Sequence, residues 1–443
     1  MKPNVIFITI DALRADYTYN HPSVHPFLNR LMDRSMVFKR AISPSGATNR
    51  TFKALFTDQY PFDNISSDPP YFHISQNAEH LTNKFRNVGY YTMGFSSNAN
   101  LTRVQGYDRM FDYFYDGLGE EKETSTDFQQ TEIQSILKST FKRILESFDW
   151  ESKIKKKLVG KYMSYTLDSG FECSESLVKK AKNQMEMRKK DQPLFLWLHM
   201  MEVHSPYNIP RTLFREIDEK PIRNWERQWL RYEKHNNARV SESELTDEDM
   251  DKIKTMYKCG IRYVDSLIEN FFKYLKRNGF LDDCLFVITS DHGENLGDWD
   301  LLSHRKLYNS NIHVPLIIHN GSDQKEYNQT FDNYRLLNLL YKLSQGDNLQ
   351  NSIQEFFRPA ISESGMKETM NFAIQDEKYK IVINKGDSEK EYYRLENMVE
   401  KDLIENEDLK NINELENTLI NHIRRQQNQE RRKIDEVIKK INI

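Results

Sequence analysis

Leu285-Phe-Val-Ile-Thr-Ser-Asp291-His292-Gly293-Glu294 is the stretch on which the reading of this chain turns. Its opening run of apolar and β-branched residues predicts a strand covered on both faces. An Asp-His pair follows at once, where that strand ends. A carboxylate and an imidazole in adjacent positions can serve one metal ion, and Gly293 allows a tight backbone turn behind them. In open α/β sheets, ligands and catalytic groups gather at the carboxyl ends of strands.

Working outward, Val5–Ile10, Tyr90–Phe95, Leu194–His199 and Val314–His319 are similar apolar runs. All read as buried parallel strands. Helical patterns lie between them, and one runs from Asp265 to the stop signal Asn278-Gly279. Alternating strands and helices predict an α/β fold, a large mixed, mainly parallel sheet sandwiched by helices. Tyr379-Lys-Ile-Val-Ile and Glu391-Tyr-Tyr-Arg-Leu predict a small antiparallel C-terminal sheet around Lys385-Gly386-Asp387, followed by a charged terminal helix. The expected division is a catalytic domain over 1–345 and a small subdomain over 346–443. A helical insertion is expected at about 115–190, where Ile133, Ile136, Leu137, Phe141, Ile144, Leu145 and Phe148 keep helical spacing. The basic run from Lys153 to Lys161 reads as a solvated turn, with a surface for a lipid-linked anion as the sharper alternative. Residues 220 to 250 read as a loop or short helices. Thr246-Asp-Glu-Asp249 reads as a capping box.

The chain has 443 residues, with 63 basic and 66 acidic side chains and a net charge of -3. No basic excess calls for nucleic acid. Cys173, Cys259 and Cys284 match no zinc or redox spacing and suit a reducing compartment. The first apolar run is too short for a signal peptide, and no stretch is long enough to span a bilayer. A soluble, cytoplasmic protein is therefore expected.

Four clusters carry the chemistry. They are Asp11-Ala-Leu-Arg14-Ala-Asp16; the segment Ser43 to Pro61, with Thr48, Arg50 and Lys53; His199-Met-Met-Glu202-Val-His204-Ser-Pro-Tyr207; and Asp291-His292-Gly293-Glu294, with His304 beyond it. Oxygen-rich ligands with one nitrogen suit Mg²⁺, Mn²⁺ or Ca²⁺ better than a structural zinc. Three histidines, His199, His204 and His304, are candidates to bind an anion or protonate a leaving group. Arg14 and Asp16 are expected to pair with each other.

In this order the clusters resemble the sulfatase family of the alkaline phosphatase superfamily. Asn4 to Asp16 looks like that family's opening strand and first metal ligand. His25-Pro-Phe-Leu-Asn-Arg-Leu31 is similar to its "TPNLDRLA" helix, and Thr57-Asp-Gln-Tyr-Pro61 to the "TGxYP" that closes the nucleophile helix. Gly89-Tyr-Tyr-Thr and Ser97-Asn98 match "GYxT…SN", and Phe195 to Tyr207 is similar to "FLYLHFMDPHxPY". Ser290-Asp-His-Gly-Glu294, Ile261-Arg-Tyr-Val-Asp265, Ile312-His-Val-Pro-Leu-Ile and Tyr392-Tyr-Arg-Leu395 extend the match almost to the end.

The resemblance implies one divalent ion, Ca, Mg or Mn, held by Asp11, Asp291, His292 and the nucleophile. In sulfatases that nucleophile is a Cys or Ser of C/S-x-P-x-R, converted to formylglycine. Counting nine residues back from Thr57 reaches Thr48, and the Arg expected four residues later is Phe52. No formylglycine is therefore expected. Thr48 becomes the candidate nucleophile, as in phosphate-handling branches that use a plain hydroxyl, with Ser45 and Thr51 in reserve. Ala12 stands where many members have another Asp. His204 and His304 are carried over as groups that steady the substrate's charge or the leaving group. Arg50 and Lys53 are candidates to replace the missing Arg, and Asn98 is a candidate substrate contact. His199 is expected to be structural.

The expected activity is metal-dependent hydrolysis of a sulfate or phosphate ester through a covalent Thr48 intermediate. The substrate is expected to be an anionic ester, with a glycan or lipid precursor as one source. Two other readings stand beside it: a phosphotransferase acting on a glycan or lipid, and a catalytically silent binding protein of the same fold.

Overall fold

The computed structural model describes residues 2–63, 79–117, 154, 156–158, 160–161, 172–189, 192–207, 209–210, 213, 217, 222–302, 306–321, 323–347, 349–365, 370–384, 389–403 and 409–441. The Ile133–Phe148 stripe, the turn at 385–387 and His304 lie outside them.

The run Val-Ile-Phe-Ile-Thr-Ile forms β1 (Asn4–Ile10), and no residue of it from Val5 onward exceeds 1% exposure. A strand with no polar face belongs in the middle of a covered sheet. There β1 pairs in parallel with β5 (Leu194–Met200) on one side and β6 (Cys284–Ser290) on the other. The remaining strands are β2 (Met36–Ile42), β3 (Tyr91–Phe95), β4 (Tyr113–Tyr115), β7 (His313–His319), β8 (Lys325–Tyr327) and β9 (Phe331–Asp332). The sheet order is β4-β3-β5-β1-β6-β7-β2-β8, with β9 also paired to β2. Separate apolar clusters cover its two faces.

The sheet is mixed and mainly parallel, as expected, and the direction of one strand is corrected. Val314–His319 is a buried strand but not a parallel one, because β7 pairs antiparallel with both β6 and β2. A continuous apolar run carries no information about direction.

The small sheet is five-stranded and antiparallel: β10 (Ala360–Ser364), β11 (Asn371–Gln375), β12 (Tyr379–Asn384), β13 (Glu389–Glu396) and β14 (Val399–Leu403). β12 and β13 are the two strands expected from sequence. β10 is seated on the loop before Thr48, where Glu363 N–H donates to Pro44 O at 2.8 Å and Ser362 Oγ to Ser43 O at 2.6 Å. The charged terminal helix spans Leu409–Ile441.

The 220 to 250 region holds a defined helix, Asn224–Asn236, ahead of the long helix Asp247–Arg277. The capping box at the start of the latter forms as expected. Thr246 Oγ1 accepts from Asp249 N at 3.2 Å, and Asp249 Oδ2 from Thr246 N at 3.1 Å. In the basic run, Lys156 is held 3.1 Å from Asp249 and 4.0 Å above the Trp229 ring, which makes it a packing residue. Cys259 and Cys284 are buried and Cys173 is exposed. Among the described residues no helix is long and apolar enough to cross a membrane.

Candidate active site

Strand register assembles the site. Ile10 pairs with Ser290, so the residues that follow them, Asp11 and Asp291, emerge side by side. Thr9 pairs with His199 on the other flank. Paired residues of parallel strands face the same way, and a side-chain period of two puts Asp11 on the face shared by Thr9 and His199. Asp11, His199, Asp291 and His292 are all fully buried.

Thr48 arrives from across that face. It is the first residue of the helix Thr48–Thr57, whose cap residue is Ala47. Its hydroxyl caps nothing. It donates to Asp11 Oδ2 at 3.4 Å and lies 3.1 Å from His292 Nε2. Phe52 and Phe56 share its helical face at four-residue steps, and each packs 4.9 Å from the Trp197 ring. Phe52, where the family pattern has Arg, also meets His199 edge-on at 4.9 Å. These rings hold the helix and so aim Thr48.

Hydrogen-bond bookkeeping assigns the histidine protons. His292 Nδ1 lies 2.7 Å from Gly293 O, which can only accept, so the neutral ring keeps its lone pair on Nε2. That nitrogen faces Asp11 Oδ1 at 3.6 Å and Asp291 Oδ2 at 3.5 Å. Around His199 the order differs. Trp197 Nε1 can only donate, and it donates to Thr9 Oγ1 at 3.0 Å. The Thr9 proton then has His199 Nδ1 at 2.9 Å, which leaves His199 Nε2 protonated and donating to Asp11 Oδ2 at 3.2 Å. Asn98 Nδ2 donates to the same oxygen at 2.8 Å.

Asp11 Oδ2 is thus crowded with donors, while Asp11 Oδ1 and Asp291 Oδ2 are buried with no hydrogen-bond donor. Orphaned carboxylate oxygens at 0% exposure call for a cation. Ligand atoms of Asp11, His199 and Asp291 lie within 4.8 Å of one another, so the corner fits one divalent ion. Burial alone pushes the Asp11 carboxyl up. The neighbouring His204 ring, the His199 hydrogen bond and the nearby His292 and His199 rings outweigh burial and hold it well below the usual carboxylate range. Burial pushes the His292 ring down, but the neighbouring Asp291 and Asp11 carboxylates raise it overall.

Not every expected residue comes to this corner. Arg50 donates to Gly365 O at the small sheet. Lys53 donates to Pro61 O at 3.2 Å and Asp63 O at 2.9 Å. Both lie on the helix side away from Thr48 and Phe52, so their expected role as substrate cations is corrected to one of holding backbone carbonyls. Ser45 Oγ donates to Glu363 O at 2.7 Å and Thr51 Oγ1 to Ser45 O at 3.2 Å, which commits both reserve hydroxyls to structure. His204 is half-buried, with its ring 6.2 Å from that of His292. Gly293 is required by close approach, since a Cβ there would stand 2.1 Å from Ser310 O. His199, expected to be structural, is part of the cluster. Its position at the end of the apolar run Leu194–His199 was the available signal; its pairing with Thr9 shows only in the structure.

A family model described as Sulfatase matches residues 3–344. An arylsulfatase of Clostridium perfringens (strain 13 / Type A) is 21% identical over 343 residues, covering 72% of this chain and 69% of that protein. A choline-sulfatase of Rhizobium meliloti (strain 1021) is 24% identical over 347 residues, covering 72% of this chain and 62% of its own length. Among solved structures, the phosphonate monoester hydrolase SpPMH from Silicibacter pomeroyi has the same fold, with a TM-score of 0.65 at 18% identity and 96% of each chain covered. With its family model spanning most of the chain and its strand-end carboxylates gathered at one buried corner, this chain belongs to the sulfatase family and is an ester-hydrolysing enzyme.

Proposed function

We propose that this enzyme cleaves sulfate or phosphate-type esters through a covalent intermediate on Thr48. The observation that carries the reading is the Thr48 hydroxyl, uncommitted to helix capping and set against Asp11 and His292 beside two orphaned carboxylate oxygens. Sulfate- and phosphonate-ester relatives support the substrate class.

Asp11 Oδ1, Asp291 Oδ2 and His292 Nε2 are the groups that would hold a divalent cation. Such a cation would supply Lewis-acid chemistry, acidifying a neighbouring hydroxyl and neutralising ester oxygens. His199 and Asn98 brace Asp11 by donating to Oδ2, so neither needs to be a ligand. Thr48 Oγ1 attacks the sulfur or phosphorus, and its proton has Asp11 Oδ2 within reach at 3.4 Å. A Thr48 ester forms as the bond to the leaving oxygen breaks. His204, half-buried with its ring 6.2 Å from that of His292, protonates that oxygen. Water then cleaves the Thr48 ester and frees the enzyme.

The test is turnover of aryl sulfates, aryl phosphates and phosphonate monoesters with Mn²⁺, Mg²⁺ or Ca²⁺. Thr48→Ala is expected to lower kcat by about 10³-fold or more while metal still binds. Wild-type kinetics in Thr48→Ala would remove Thr48 from the reaction. Product formed only when an alcohol acceptor is added would turn the reading to group transfer.

A further inference from the structure

The Asn224–Asn236 helix contains Arg227-Gln-Trp-Leu-Arg231-Tyr-Glu-Lys234. Arg227, Arg231 and Lys234 fall at i, i+4 and i+7, which is one helical face. All three are buried, at 8%, 6% and 5% exposure. Cations are placed on the inward side of a helix only where something accepts from them.

Lys234 has acceptors. Its Nζ lies 3.0 Å from Glu294 Oε1 and donates to Leu302 O at 2.9 Å. Arg227 donates to Ile209 O at 3.4 Å. Arg231 differs. Among the described residues no carboxylate or carbonyl reaches its guanidinium, and its Nε is buried without a hydrogen-bond partner. Burial and the neighbouring Arg227 charge push this guanidinium down to about 10.

The ends of the stripe locate Arg231. Lys234 is tied to Glu294, two residues past His292, and Arg227 to Ile209, just past the His204–Tyr207 segment. The helix therefore bridges the two segments that flank the catalytic corner, with Arg231 between the ties. We propose that Arg231, flanked by Arg227, binds a second anionic group of the substrate: a sulfate, phosphate or carboxylate other than the ester being cleaved. A guanidinium fork with unused donors matches such an oxyanion in geometry and charge. The inference rests on the Thr48 corner being the ester site, and it makes the substrate a polyanion.

The test titrates the full-length protein with inorganic sulfate, phosphate and acetate, following thermal melting and heat of binding. A chelator is present throughout, so that the Asp11 corner contributes no cation. At least one anion is expected to bind and raise the Tm of the wild type. Arg231→Met is expected to weaken that binding by ten-fold or more, and Arg231→Lys to retain part of it. Without anion, Arg231→Met is expected to melt higher than the wild type, because an unpaired buried charge has been removed. A purely structural Arg231 gives the opposite pattern, a lower Tm with unchanged anion affinity, and that result overturns the proposal. So does a wild type that binds none of the three anions. This measurement needs no ester turnover. A wild type that cleaves no ester would overturn the Thr48 reading and leave the anion site to be decided here.

Discussion

Asp11 and Arg14 leave the same strand three residues apart, and both are buried, at 0% and 7% exposure. Around Arg14 every donor is used. Nε and one terminal nitrogen donate to Asp16 at 2.9 and 2.8 Å, and both terminal nitrogens reach Asp298, at 2.5 and 3.2 Å. Glu294 O accepts another bond at 3.0 Å. Around Asp11 and Asp291 the accounts stay open, with one oxygen on each lacking a donor. A buried polar group whose partners are all present holds the fold together. One whose partners are missing is a candidate for binding something else. Arg231, whose Nε is buried without a hydrogen-bond partner, is proposed above as one of the second kind.

Arg14→Met tests the closed side. It strips partners from Asp298 and from the Glu294 carbonyl, and is expected to cost about 3 kcal/mol of stability in urea unfolding. A loss below about 1 kcal/mol would mean that the network is ornamental.

Asp291→Asn tests the open side. At saturating divalent cation the wild type should gain about 2.7 kcal/mol when the free ion is at a hundred times its Kd. In Asp291→Asn that gain should vanish. The metal-free variant should be no less stable than the metal-free wild type, since one of two crowded buried carboxylates has lost its charge. Cation-induced stabilisation that survives in the variant would move the metal site elsewhere.

Thr246→Ala gives the scale of an ordinary satisfied pair. It removes the capping hydroxyl of the Asp247–Arg277 helix and is expected to cost about 1 kcal/mol by thermal melts, with cation and anion responses unchanged. A larger effect on those responses would tie that helix to the site.

Much of the fold was legible because it rests on short-range pattern. β1, β5 and β6 are almost uninterrupted apolar runs, and the Asp residues that follow β1 and β6 mark the site. β2 escaped notice because Lys39 and Arg40 interrupt it, at a register shift between Phe38 and Ala41. The apolar count there reads as broken although the strand continues through the irregularity. β10 and β11 are short and mixed in polarity, so neither shows a clean period. In the site, Thr48 could be reached by counting. Arg50 and Lys53 were misplaced because a sequence shows which residues follow Thr48 but not which side of its helix faces the sheet.

The sequence by itself determined where strands end, which residue types stand there, and that Thr, not Cys or Ser, stands at position 48. Those are properties of adjacent residues, carried by periodicity and spacing. Tertiary structure alone decided that Ile10 pairs with Ser290 and Thr9 with His199, that Trp197 and Thr9 set the proton on His199, and that Phe52 fills the place of an Arg. It alone decided which buried polar atoms lack a partner. The reason is physical: satisfaction and desolvation depend on neighbours brought together from distant parts of the chain, and local pattern does not encode those neighbours.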